Sequence, residues 1–329
     1  MSELRFDELR GERIAYAIHR QDRTFLPAAD RCPLCPTRDR ARPTEIPVAA
    51  FEIAVFENRF PAFEPAPGGG GGTPTTSGGA AAPGEDGTPA SSGGAAEVVV
   101  YTDAHRGSLA SLPAERAEAL MWVWRHRYRE LGSRGDVAYV FIFENRGVEV
   151  GVTLHHPHGQ IYGYPFVPPV AALERAAERR LGGCASCMLS RRELDDGRRI
   201  VLENDAAIAY VPYAARWSYE AHVVLREHRP SLLECEPLEL RLLAAALQAL
   251  LRGYDALFAR PLPYVMAVRQ APTDGSGGGH LRVELYPPLR TAEKLKYLAG
   301  SEQGAGVFIA DTLPEHAAAA LREAICRAT

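Results

Sequence analysis

This chain has no run of about eighteen consecutive apolar residues, so no helix in it is expected to span a membrane. Its beginning, MSELRFDELRGERIAY, lacks the basic-then-apolar order of a secretory signal. It also lacks a basic field: the net charge is −4, the pI is near 6.2, and the arginines are scattered rather than gathered into a tail. That excludes a protein whose affinity rests on nucleic-acid phosphates. The expectation is a soluble, cytoplasmic protein with no nucleic-acid and no membrane partner. Cysteine is scarce, six in 329 residues, and four of the six form Cys-x-x-Cys pairs, Cys32/Cys35 and Cys184/Cys187. In a cytoplasmic chain such pairs are metal ligands or redox pairs before they are structural disulfides. Cys235 and Cys326 read as small thiols, buried or half-buried.

Hydrophobic residues make up 46% of the chain, enough for one large domain or two ordinary ones. One stretch, Glu64 to Glu97, is mostly Gly, Ser, Pro, Ala and Thr. It offers almost no apolar bulk to offset the entropy of ordering, so it is expected to be a flexible insertion. Strand-like runs flank it, FEIAVFENRFPAF before and EVVVYTDAH after. A helix with Pro113 in its first turn follows, then the strand VAYVFIFENRG, the extended run EVGVTLHHPHGQIYGYP, and the helix VAALERAAERRL. The pattern then recurs. AHVVLREHRPSL matches EVVVYTDAHRGSL and places His228 where His105 stands. LPYVMAVRQAP matches VAYVFIFENRG, and GHLRVELYPP takes the place of the histidine run. Cys32 precedes His105 by 73 residues and Cys184 precedes His228 by 44, a difference of 29 that is close to the length of the glycine-rich run. The fold class expected is α+β: two tandem units, residues 1–170 and 171–329, each a mainly antiparallel sheet with a long helix, and a helical tail at the end.

The chemistry concentrates in TLHHPHGQIYGYP. Cys32 and Cys35 have the spacing of a zinc knuckle, and His105 and His156 are candidates to complete a tetrahedral set. A redox pair is the alternative, but no thioredoxin-like βαβ context surrounds them. A histidine within His-Pro-His-Gly-Gln can attack phosphorus, because neutral imidazole is nucleophilic near pH 7 and leaves readily afterwards. His156 and His158, at i and i+2 of an extended segment, would face the same side. Gln160 can bond a non-bridging phosphate oxygen without moving a proton.

HHPHGQIYGYP, with CPLC, FENRG and YPPLRTAEKLKYLAGSEQGAGVF, resembles the galactose-1-phosphate uridylyltransferase family, a two-repeat branch of the histidine-triad superfamily. The resemblance spans nearly the whole chain outside the glycine-rich run. It implies that His158 is the nucleophile and that Gln160 steadies the uridylyl phosphate. It implies zinc on Cys32, Cys35, His105 and His156, and no role for His155. It implies substrate contacts by Asn58, Phe60, Asn145, Gly151 and Thr153, and less directly by Arg20 and Arg23. Lys296, Tyr297 and Glu302 would reach the hexose across the interface of a homodimer that shares its active sites. The implied reaction exchanges UMP between UDP-glucose and galactose-1-phosphate, in galactose metabolism.

The sequence departs from that family in its second half. Some members hold a second metal, often iron, on three histidines and a glutamate. Here the corresponding positions read Arg269, Arg282 and Glu284, with Glu174 kept. Cys184 and Cys187 appear instead, with His228 in the repeat-equivalent place. A second zinc with His280 or Glu284 as fourth ligand is one reading, and a reduced cysteine pair near the surface is the other. Two rival functions stand beside the transferase: a dinucleoside polyphosphate phosphorylase or nucleotide hydrolase of the same superfamily, and a zinc-bearing module without catalysis. The zinc pair and the LKYLAGSEQG segment favour the transferase over the first rival, and the acidic charge and intact His-Pro-His-Gly-Gln weigh against the second.

Overall fold

Apolar spacing of three and four explains where the two long helices form. The structure, a computed structural model, describes residues 2–65 and 87–328. Helix α1 (Ala114–Gly132) turns Ala117, Leu120, Met121, Trp124, Tyr128 and Leu131 inward. Helix α4 (Pro237–Leu257) opens on Pro237, where a first turn needs no N–H, and on a capping box between Glu236 and Glu239. It buries Leu240, Leu243, Leu247, Leu250, Leu251 and Tyr254 in the same core as α1.

Both helices cover one face of a single nine-stranded antiparallel sheet. Its first half runs β3 (Ala54–Glu57), β5 (Ala95–Val100), β7 (His158–Tyr164) and β6 (Tyr139–Arg146). Its second half continues with β11 (Tyr264–Arg269), β12 (Arg282–Tyr286), β10 (Ala221–Leu225), β9 (Ala207–Tyr210) and β8 (Ile200–Glu203). From the centre outward the order is a palindrome: β6 answers β11, β7 answers β12, β5 answers β10 and β3 answers β9. The seam pairs Tyr264 with Arg146 through Val268 with Ile142. Beside it the buried Tyr264 hydroxyl donates to Glu144 at 2.9 Å, and Arg146 holds Asp255 with two bonds of 2.7 and 3.0 Å.

Helices α2 (Pro169–Leu181) and α5 (Pro314–Ala328) follow β7 and β12, and α5 packs on α4. The sequence pattern did not reveal α3 (Ala185–Asp196), which starts directly on Cys184 as its N-cap. Nor did it reveal the small sheet in which β1 (Glu3–Asp7) lies between β2 (Glu12–Tyr16) and β4 (Ala90–Ser91).

Part of the expected flexible insertion, Glu64 to Glu97, is paired structure. Glu64 bridges Gly93 and accepts the Ser2 amide at 2.7 Å, β4 is paired with β1, and β5 already begins at Ala95. The rest of that expectation, residues 66–86, lies outside the described residues. Cys326 is exposed rather than buried or half-buried, while Cys235 is buried as expected. Among the described residues no helix is long and apolar enough to cross a membrane.

Because both ends of the 66–86 segment are pinned, its length should matter little: closure entropy changes by only about 0.6 kcal/mol per doubling. Replacing 66–86 by a short Gly-Ser link should leave the melting temperature and turnover near wild type. A large loss of turnover at unchanged melting temperature would instead make the segment a lid.

Candidate active site and metal centres

Four side chains converge where the sequence placed a metal. The ligand atoms of Cys32, Cys35, His105 and His156 all lie within 4.8 Å of one another. Cys35 Sγ is 3.4 Å from His105 Nδ1 and 3.5 Å from His156 Nδ1, and Cys32 Sγ is 3.9 Å from His156 Nδ1. A tetrahedron with Zn–S and Zn–N bonds of ordinary length has S···N edges of about 3.5 Å, so the set fits zinc. The His156 ring is oriented for it: Nε2 donates to the Thr102 carbonyl at 2.7 Å, which leaves the Nδ1 lone pair toward the sulfurs. Burial pushes the Cys32 thiol up to about 11, so a cation is what would draw it into the thiolate form.

The second half repeats this set. Cys184, Cys187, His228 and His280 also lie within 4.8 Å. Cys187 Sγ is 3.5 Å from His228 Nδ1 and 3.2 Å from His280 Nδ1, with Cys184 Sγ 3.5 Å from the latter. The histidine rings meet edge to face in both centres, 5.6 Å apart in the first and 5.2 Å in the second. The group that completes this set is His280 and not Glu284. Glu284 instead accepts from Arg282 at 2.8 Å and from Arg269 at 2.9 Å, and Arg282 also reaches Glu174. The four positions that the resemblance would have made a second metal set, Arg269, Arg282, Glu284 and Glu174, therefore form one ion-paired cluster. In the palindrome Arg282 stands where His158 stands, and Glu284 where Gln160 stands: each opens its strand two residues after the metal-set histidine.

His158 and His156 do not share a strand face as expected. The chain bends at His156–Pro157, and β7 begins only at His158. The two are coupled through the backbone: His158 Nδ1 donates to the His156 carbonyl at 2.7 Å. That bond leaves Nε2 as the lone-pair nitrogen, and burial lowers the imidazole below its ordinary value, which keeps it neutral.

On β7, His158, Gln160 and Tyr162 alternate onto one face. Asn58 Nδ2 donates to Gln160 Oε1 at 3.2 Å, and the Tyr162 hydroxyl donates to the same oxygen at 3.3 Å. Arg20 in turn donates to the Tyr162 hydroxyl at 3.1 Å. With its oxygen engaged from both sides, the Gln160 amide can only present N–H outward. Tyr162 was missed in the sequence, although its i+2 spacing from Gln160 was the available signal.

Gly159 lies between these residues because nothing larger fits. A Cβ there would meet the Tyr101 hydroxyl at 2.2 Å and the Phe143 carbonyl at 3.0 Å.

His158 sits between two clefts. One, of about 670 Å³ including its mouth, is lined by Arg23, Asn58, Phe60, Thr153 and Gln160, with Pro33, Leu34 and Glu45 from the cysteine knuckle. The other is lined by Asn145, Glu149, His155 and Arg260 among others. His155 is thus exposed to a cleft rather than packed. Gly151 ends a turn with φ of 81°.

Lys296, Tyr297 and Glu302 line neither cleft in the single chain. The Lys296 ammonium donates to the Arg216 and Ile309 carbonyls and lies over the Trp217 and Phe308 rings. Glu302 accepts the Ala299 and Ile309 amides, each at 3.2 Å. These two residues shape a loop on which Tyr297 is 72% exposed.

Residues 1–168 match the family described as galactose-1-phosphate uridyl transferase, N-terminal domain, and residues 177–327 match its C-terminal domain. A galactose-1-phosphate uridylyltransferase of Thermotoga maritima is 36% identical over 98% of this chain and 98% of its own. One from Streptomyces lividans is 36% identical over 98% of this chain and 87% of its own. A solved structure described as a uridylyltransferase mutant superposes with a TM-score of 0.83 at 30% identity, covering 99% of this chain and all of that one.

Gly159→Ala should force β7 or Tyr101 to move, costing about 1–3 kcal/mol of stability and much of the turnover. Adding Tyr101→Phe removes the closest clashing atom and should recover part of both. Equal damage in the single and double variants would show that Tyr101 is not what fixes the glycine.

Proposed function

The chain belongs to the galactose-1-phosphate uridylyltransferase family, and on that premise we propose how its residues move UMP between UDP-glucose and galactose-1-phosphate. The observation that carries the reading is the Nδ1 bond of His158. A neutral imidazole whose Nδ1 proton is held by the His156 carbonyl has its Nε2 free to attack the α-phosphorus. The N–P bond forms as the bond to glucose-1-phosphate breaks. The imidazolium produced keeps its Nδ1 proton on the carbonyl dipole, which stabilises the positive charge. Galactose-1-phosphate then attacks from the vacated side, and His158 returns to neutral imidazole. Both leaving and entering groups are phosphates, so no general acid is needed, and a glutamine suffices at position 160. Gln160, with its oxygen tied to Asn58 and Tyr162, gives its N–H to a non-bridging oxygen whose charge grows in the transition state.

Asn58 and Phe60 would hold the uridine, with Arg20 and Arg23 on the phosphate side. Asn145, Gly151 and Thr153 would line the phosphate path. Zinc on Cys32, Cys35, His105 and His156 would fix the knuckle and the His156 carbonyl against which His158 is oriented. A second zinc on Cys184, Cys187, His228 and His280 would be structural, since Arg282 replaces a nucleophile there. Exposed Tyr297, Val307 and Ile309 on the loop that Lys296 and Glu302 shape support a homodimer in which this loop reaches the partner's hexose site. We place the enzyme in the cytoplasm, consistent with its unpaired Cys-x-x-Cys chemistry.

His158→Gly should keep its metal and fold yet lose transfer by roughly 10⁴-fold or more. Wild type incubated with uridine-labelled UDP-glucose and no acceptor should release glucose-1-phosphate and retain acid-labile label on the protein. Label on His158→Gly, or none on wild type, would defeat the covalent route. His156→Ala should release metal and lose activity with it, whereas His155→Ala should behave as wild type.

Elemental analysis should find two zinc ions per chain. Cys184→Ser should bring this to one and lower the melting temperature more than kcat. One zinc per chain, unmoved by Cys184→Ser, would remove the second centre.

A further inference from the structure

The first cleft holds a single anion. Of its lining side chains, Arg23, Arg59, Asn58, Thr153, His158 and Gln160 are cationic or neutral, and only Glu45 is a carboxylate. Its position is built rather than incidental. The Glu45 amide donates to the Pro33 carbonyl at 3.0 Å, next to Cys32. The preceding Thr44 donates its hydroxyl to the Cys35 carbonyl at 2.6 Å, and the following Ile46 bridges Pro36. Glu45 therefore hangs from the cysteine knuckle itself. Arg59 Nη1 holds Glu45 Oε1 at 3.1 Å, and its guanidinium lies over Phe60, 5.6 Å from the ring centre. Glu45 Oε2 has no partner among the described residues, and the carboxylate is the better-covered member of the pair, 30% exposed against 70% for Arg59.

A nucleotide bound with its phosphorus at His158 cannot bring phosphate to Glu45, because like charges in a partly closed cleft repel. What remains of the nucleotide toward the knuckle is nucleoside. Uracil offers a carboxylate one donor, N3–H, but flanks it with two acceptor carbonyls that the charge repels. The ribose 2′- and 3′-hydroxyls are two donors on adjacent carbons, and a carboxylate oxygen with an open lone pair suits them. Taking the proposed reaction as given, we propose that Glu45 reads the ribose hydroxyls and makes this chain selective for ribonucleotides over 2′-deoxyribonucleotides. Arg59 acts one step back, as a positioning residue that fixes the carboxylate without touching the sugar. The knuckle then has two duties: its cysteines take the metal, and its far side carries the sugar contact.

The test compares UDP-glucose, 2′-deoxy-UDP-glucose and CDP-glucose as donors for the wild type, Glu45→Gln, Glu45→Asp and Arg59→Ala. Binding of UMP and 2′-deoxy-UMP is measured beside it by calorimetry. Loss of a hydrogen bond to a charged group should make wild type prefer the ribonucleotide by about 10- to 100-fold, expressed in KM more than in kcat. Glu45→Gln should shrink that preference to within about 3-fold, Glu45→Asp should restore part of it, and Arg59→Ala should fall between. Zinc content and the preference for uridine over cytidine should stay unchanged. A Glu45→Gln variant that keeps the full ribose preference overturns the proposal, as does one that alters the uridine-to-cytidine ratio instead, which would put Glu45 on the base. Calorimetry separates the two layers of inference: retained ribose preference in UMP binding with no transfer from UDP-glucose would sink the transferase reading and leave Glu45 standing.

Discussion

The antiparallel seam between β6 and β11 is the constraint on which the rest of the molecule depends. It joins two half-sheets into one, so that α1 and α4 share a core instead of each closing its own. Polar groups are sealed into this seam. Burial pushes the Glu144 carboxyl up to about 7, with the Tyr264 hydroxyl donating to it. An interior that holds such a group must be well fixed around it, because a partly satisfied polar group in low dielectric is costly. Strand β7 is laid down against β6, and its register there sets where His158, Gln160 and Tyr162 emerge.

From that register the reactive geometry follows by short steps. The bend at His156–Pro157 lets one residue serve two roles, its ring in the metal set and its carbonyl on His158. The direction of the Gln160 amide is decided by Asn58 and Tyr162, from a neighbouring edge and from the same strand. No one bond here is strong, at about 1 kcal/mol net for a neutral pair. The precision comes from each group having a single way to satisfy its partners.

Much of this was legible in the sequence, for definite reasons. The helical period of α1 and α4 is strong because both are amphipathic, and the duplication shows because cysteine and histidine are rare enough for their spacing to stand out. The fourth member of the second set, His280, could be weighed against Glu284 but not chosen, because that choice turns on Arg269 and Arg282 lying within reach of the carboxylate. Helix α3 was hidden because its exposed residues leave almost no apolar stripe; Ser186, Ser190 and Glu193 are its buried positions. The small N-terminal sheet was hidden because β4 is two residues long and is fixed only by pairing with β1. The bend before β7 was hidden by proline, which suits an extended segment and a turn equally well. Lys296 was named as a substrate contact through the family resemblance alone; in the single chain two carbonyls and two rings surround its ammonium, an environment that no local sequence pattern announces.

The ion-paired cluster of the second half limits how far the two halves can be exchanged. Position 282 answers to His158 in the palindrome, yet the groups around it are matched to a cation. Arg282, Arg269 and Glu284 are almost fully enclosed, and Glu174 closes the set. Histidine at position 282 would take Arg282 away from Glu174 and leave Glu284 to Arg269 and His222, a loss of roughly 3–5 kcal/mol for breaking one buried pair. One substitution therefore cannot make the second half a copy of the first; its enclosed charges would have to be redrawn together.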